Sequence, residues 1–131
     1  MPIAPPANAT RNPDGSFSWT GNNGAKEKNV PHYNLAQVQQ VCQALGNAAF
    51  ASMAIPGLTA LGLTRGQALT VIAGMGHSMF YKSMESLKAS GHWQDVYRVP
   101  TPPNGVMAYV KFTPVLVAQK PAHMVISFKP L

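Results

Sequence analysis

Apolar positions from residue 34 onward recur first at the period of a helix and later at the period of a strand. Leu35, Val38, Cys42 and Leu45 follow a capping Asn34 and stop at Gly46, which predicts a helix over 35–45 with Cys42 in its core stripe. "NAAFASMAIPG" then admits a short strand around residues 50–54, with Pro56 and Gly57 turning the chain. In "TRGQ" Thr64 can accept from an early backbone N–H while Gln67 reaches back to the cap, the two halves of a capping box. Behind it Ala68, Leu69, Ile72 and Met75 form a stripe that ends at Gly74 and Gly76. "HSMFYKSMESLK" predicts a further helix, with Phe80 and Met84 inward at i and i+4.

After "ASG" the alternation becomes that of strands: "HWQDVYRV", "GVMAYVKF" and "HMVISFK", joined by "PTPPNG" and by the longer "TPVLVAQKPA". Helices followed by consecutive strands predict an α+β domain, an antiparallel sheet of C-terminal strands packed against N-terminal helices. Side chains alternate along a strand, so parity sorts the faces. Val106, Ala108, Val110 and Phe112, with Met124, Ile126 and Phe128, belong to the helix side. Tyr109, Lys111 and Lys129 are left on the open side, and Gln94 and Arg98 have the parity to join them. Trp93, Asp95 and Tyr97 fall on the core side, Asp95 as an internal acceptor or a partner for an arginine.

Residues 1–29 are rich in Pro, Asn, Gly and Ala without helical periodicity and read as a flexible arm before one domain at 30–131. Within the arm "SFSWT" alternates Phe17 and Trp19 with small polar residues; that permits a short added strand, although a linker with two incidental aromatics is the simpler reading.

Charge changes the picture. Lys and Arg outnumber Asp and Glu by 10 to 4, a net +6, which favours a polyanionic partner such as nucleic acid or an acidic protein. Residues 1–64 hold three cations and two acids, residues 65–131 seven and two, so the partner surface belongs to the second half. Cys42 is the single cysteine, and no Cys/His spacing marks a metal site. Neither a signal peptide nor a membrane helix is legible, so a cytoplasmic protein without metal or small-molecule cofactor is expected. No nucleophilic triad, phosphate-cradling glycine loop or paired carboxylates can be made out.

An open sheet face carrying Lys and Arg around an aromatic hydroxyl and an amide suits an RNA phosphate, which needs cations for charge and donors for orientation. The same alternation also describes an ordinary solvated face of an antiparallel sheet. His32, His77, His92 and His123 are of the residue type most often used for acid-base work, but no motif recruits them.

"FYKSM" at 80–84, "WQDVYR" at 93–98 and the terminal "VISFK" at 125–129 resemble the motility quorum-sensing regulator (MqsR) family of type II toxin endoribonucleases. The similarity begins near "VPHYNLAQVQQV", includes "LGL" at 61–63, and leaves only the arm unmatched. It implies a RelE-like ribonuclease toxin fold and an mRNA interferase whose partners are mRNA and a cognate antitoxin protein. The implied reaction is metal-independent: the ribose 2′-hydroxyl attacks the adjacent phosphate at GC-starting sites such as GCU, leaving a 2′,3′-cyclic phosphate and a 5′-hydroxyl. The family's active residues map onto Lys82, Gln94, Tyr109 and Lys129, with Arg98 and Lys111 as RNA-phosphate contacts.

Three departures stand out. "AAFASMA" lacks the family's basic residues, the last hairpin is lengthened by "PVLVAQKP", and the arm is extra. None of the three is expected to touch the four site residues. A non-catalytic RNA- or protein-binding module, acting with the antitoxin as a corepressor, is the rival reading.

Overall fold

The computed structural model describes residues 2–88 and 91–131; Met1, and the Ala89 and Ser90 of the break expected before the strands, lie outside the described residues. Among the described residues, seven strands form one sheet in sequence order, every neighbouring pair antiparallel. They are β1 (Thr10–Arg11), β2 (Phe17–Thr20), β3 (Lys26–Lys28), β4 (Phe80–Glu85), β5 (Trp93–Thr101), β6 (Val106–Val117) and β7 (Lys120–Pro130). Three helices, α1 (Leu35–Leu45), α2 (Ile55–Ala60) and α3 (Arg65–Ala73), complete the expected α+β architecture.

The cap signals of α1 and α3 are realised as read. Asn34 accepts from the Gln37 N–H, and Gly46 ends α1 at φ 60°, a left-handed conformation that costs glycine least. Thr64 and Gln67 complete their capping box on α3. The apolar faces of α1 and α3 meet Phe80, Tyr97, Val110, Phe112, Val125 and Phe128 of the sheet. Each such side chain contributes about 1.5–3 kcal/mol by leaving water. At the centre, Tyr97 meets Phe80 and Phe112 edge-to-face, with ring centroids 5.5 and 5.7 Å away. Its hydroxyl is buried with no hydrogen-bond partner among the described residues, and burial raises its pKa far above the ordinary phenol value. Tyr97→Phe should therefore hold or raise the melting temperature, removing a desolvation cost of about 1 kcal/mol or more; a marked drop would mean that the hydroxyl is satisfied.

Five sequence expectations are corrected. "HSMFYKSMESLK" is not a helix: a 3-10 turn (His77–Met79) leads into β4, which lies between β3 and β5. The i, i+4 apolar pair fits either element, and pairing with distant strands decides. Around residues 50–54 only Phe50 makes a bridge, to Val125; Ser52–Ala54 is a 3-10 turn, and Pro56 sits in the first turn of α2 rather than ending a strand. The stretch "TPVLVAQKPA", read as a long join, is mostly strand: it continues β6 and opens β7, with Ala118 and Gln119 at φ 52° and 65° making a tight two-residue turn between them. A register shift beside Lys111 inverts the parity of β7, so Val125 rather than Ile126 packs with Phe112 in the core. Finally, the stretch read as an arm contributes β1, β2 and β3; polar strands this short are held by their ladder and by Trp19, both long-range effects.

Gly57 sets how closely α2 approaches the sheet. A Cβ there would stand 2.0 Å from the Phe128 carbonyl oxygen and 2.6 Å from the Lys129 Cβ. Gly57→Ala should push α2 off β7, cost about 1–3 kcal/mol, and disturb Lys129. Thermal unfolding checks this, an unchanged midpoint being the contrary result.

Candidate nucleic-acid interface

Register across the sheet brings the basic residues together on the face away from the helices. Arg98, Tyr109 and Lys129 are cross-strand partners in one row of β5, β6 and β7. Lys82, Val96, Lys111 and Ser127 form the next row across β4 to β7. Tyr81 is the extra residue at the irregularity in β4 between Phe80 and Lys82, and its ring lies under the Arg98 guanidinium at 3.7 Å. The Lys129 and Lys111 ammonium groups stand 5.2 and 5.7 Å from the Tyr109 ring centroid. Val96 is fully buried beneath this layer, consistent with lysine stems covering apolar surface while their heads stay wet.

Lys82, Arg98 and Tyr109 line one cavity of about 620 Å³, together with Tyr81, Met84, Trp19 and Glu27. Its far wall is the segment before β1: Ile3, Ala4, Pro6 and Asn8 contribute, and the Ile3 N–H donates to the Tyr81 carbonyl at 2.7 Å. Lys129 and Lys111 flank Tyr109 beside the cavity. Gln94 shares the face opposite Met84 but does not line the cavity.

Electrostatics follows from burial. Desolvation, and secondarily the Glu27 carboxylate, raise the Tyr109 pKa, so its hydroxyl keeps its proton and remains a donor at neutral pH. Desolvation, and then repulsion from Lys129 and Lys82, lower the Lys111 pKa, the response of an ammonium crowded among cations.

The expectation that the extra N-terminal residues stay clear of the site is overturned. Glu27 of β3 is paired with the Lys82 ammonium at 2.7 Å and accepts from the Trp19 indole N–H at 2.9 Å. The residue is only 6% exposed. The missed signal was available, since Glu27 is one of just four acids in a basic chain, but only the fold carries it to Lys82.

Other candidates separate from the site. Asp95 is 1% exposed and accepts from the His32 and Tyr33 N–H groups and the Ser83 hydroxyl, so of its two expected roles it takes that of internal acceptor. Trp93 stacks on His32, with the Lys28 ammonium 4.3 Å from its ring centroid. His123 Nδ1 lies 2.7 Å from the Ala48 carbonyl, to which it must donate, tying β7 to the turn after α1. None of the four histidines lines the cavity. Among the described residues, no group of three or more His, Cys, Asp or Glu is placed to hold a metal ion, and no helix is long and apolar enough to cross a membrane.

Comparison with known proteins bears on this face. Over 72 residues the chain is 39% identical to the Escherichia coli (strain K12) protein named mRNA interferase toxin MqsR, a match covering 55% of this chain and 72% of that protein. The sequence model of a toxin family matches residues 30–130, a span that includes Lys82, Gln94, Arg98, Tyr109, Lys111 and Lys129 but not Glu27. The chain belongs to the family described as motility quorum-sensing regulator, toxin of MqsA.

Proposed function

We propose that the protein is the toxin of a type II toxin-antitoxin pair, a metal-independent endoribonuclease that cuts mRNA at GC-starting sites such as GCU and so inhibits translation and growth in the cytoplasm. Its partners are mRNA and a cognate antitoxin, and its α+β fold is of the RelE-like ribonuclease kind. Family membership supports the toxin and interferase reading. The observation that carries the chemistry is the grouping of Tyr109 with Lys82, Arg98, Lys111 and Lys129 on one sheet face.

Cleavage by the ribose 2′-hydroxyl passes through a crowded phosphorane whose added charge must be met by fixed donors. Lys82 and Lys129 meet it from either side of Tyr109. The protonated Tyr109 hydroxyl orients a phosphate oxygen, Gln94 holds a phosphate or ribose oxygen at the edge of the face, and Arg98 and Lys111 bind flanking phosphates. The products are a 2′,3′-cyclic phosphate and a 5′-hydroxyl. Induced expression in bacteria should arrest growth and deplete mRNA. Lys82→Ala, Gln94→Ala, Tyr109→Ala and Lys129→Ala should each relieve the arrest while the purified protein keeps its circular dichroism. Undiminished toxicity in all four variants would contradict this site.

A further inference from the structure

Cleavage needs a group to take the 2′-hydroxyl proton and another to protonate the departing 5′-oxygen. The Lys82–Glu27 pair defines Lys82 as an ammonium, a proton donor and a cation, and leaves the acceptor's place open. Of the four acids, Asp95 is committed to backbone and Ser83 donors, Asp14 to Ser16, and Glu85 to the Gly91 N–H. Glu27 alone among them lines the cavity with Lys82 and Tyr109. Its carboxylate is held by the Trp19 indole on one oxygen and Lys82 on the other, and the Gly21 backbone packs so closely that a Cβ there would come within 3.0 Å of it. A base fixed in this way costs little to orient when the reaction begins.

We propose that Glu27 is the proton acceptor of the cleavage reaction, a catalytic carboxylate supplied by the segment that precedes the family-matched residues. The inference rests on the nuclease reading above. The 2′-hydroxyl proton passes to Glu27 Oε2 as the 2′-oxygen bonds to phosphorus. The bond from phosphorus to the 5′-oxygen breaks, and that oxygen takes a proton from Lys82 Nζ. Transfer of the proton from the Glu27 carboxylic acid to the neutral Lys82 amine, across the 2.7 Å contact, restores the pair without any further reactant. β2 and β3, through Trp19 and Glu27, thereby become part of the active site rather than an appendage.

The test uses the full chain and a short GCU-containing RNA in EDTA. Glu27→Gln keeps the side chain's shape and an acceptor for Trp19 but not its basicity. It should lower kcat by about 10²- to 10⁴-fold, with KM little changed and the acid limb of the pH–rate profile lost. Glu27→Asp, which keeps the charge on a shorter stem, should cut at an intermediate rate with that limb intact, and it serves as the probe if Glu27→Gln fails to fold. A folded Glu27→Gln that cuts as fast as the wild type, or faster because a masking carboxylate has gone, overturns the proposal and leaves the nuclease reading standing. An acid limb that persists in a slowed Glu27→Gln overturns it too. A wild-type protein that leaves the RNA intact sinks the nuclease reading and this proposal with it.

Discussion

Lys129→Ala should slow RNA cleavage by about 10²- to 10³-fold, the usual cost of removing one preorganised group that meets transition-state charge, while the melting temperature stays where it is. Lys129 is exposed and forms no ion pair among the described residues, its backbone keeps its place in the β6–β7 ladder opposite Tyr109, and alanine preserves the Cβ that faces Gly57. Only the ammonium beside the Tyr109 ring is lost. Lys82→Ala differs in kind, because it also leaves the buried Glu27 carboxylate without its cation and should lower stability together with rate. Single-turnover cleavage and thermal unfolding, measured on both variants, separate the two behaviours. Equal loss of stability in both would mean that Lys129 is a packing residue.

The largest loss of stability is expected at Asp95. Its carboxylate joins the loop before α1 to β4 and β5, accepting from His32 N–H with both oxygens at 3.0 and 3.1 Å, from Tyr33 N–H at 2.9 Å and from the Ser83 hydroxyl at 2.7 Å. Hydrogen bonds to a charged acceptor contribute about 1.5–3 kcal/mol each, and alanine would strand several donors at once. A loss of about 3 kcal/mol or more, roughly 10 °C in melting temperature for a domain of this size, should follow for Asp95→Ala. Asp95→Asn should rescue little, since its amide nitrogen would face donors where an acceptor is needed. Near-normal unfolding of Asp95→Ala would contradict this account.

What the sequence made legible was what neighbouring residues decide. Asn34 and Gly46 bound α1, and Thr64 with Gln67 opens α3, because cap bonds close within a few residues. Alternation in β5 and β6 likewise separated Arg98, Tyr109 and Lys111 from Tyr97, Val110 and Phe112, since those strands run in regular register. The misreadings that matter for the site were decided at a distance. "FYKSM" becomes strand by pairing with β3 and β5, the irregularity at Tyr81 turns Lys82 toward the open face, and the one at Ile126 undoes simple parity in β7. The N-terminal strands carry too little apolar alternation to announce themselves: "KEK" is polar at every position, and its importance appears only where Glu27 meets Trp19 and Lys82. The grouping around Tyr109 was thus readable from the chain, while its carboxylate was not.

The most direct test of the central claim is to incubate the purified protein with a GCU-containing RNA in excess EDTA and to map both new ends. The account predicts cutting that the chelator does not abolish, with a 2′,3′-cyclic phosphate on the upstream fragment and a 5′-hydroxyl on the downstream one. RNA left intact at micromolar protein, or fragments bearing a 5′-phosphate, would contradict it.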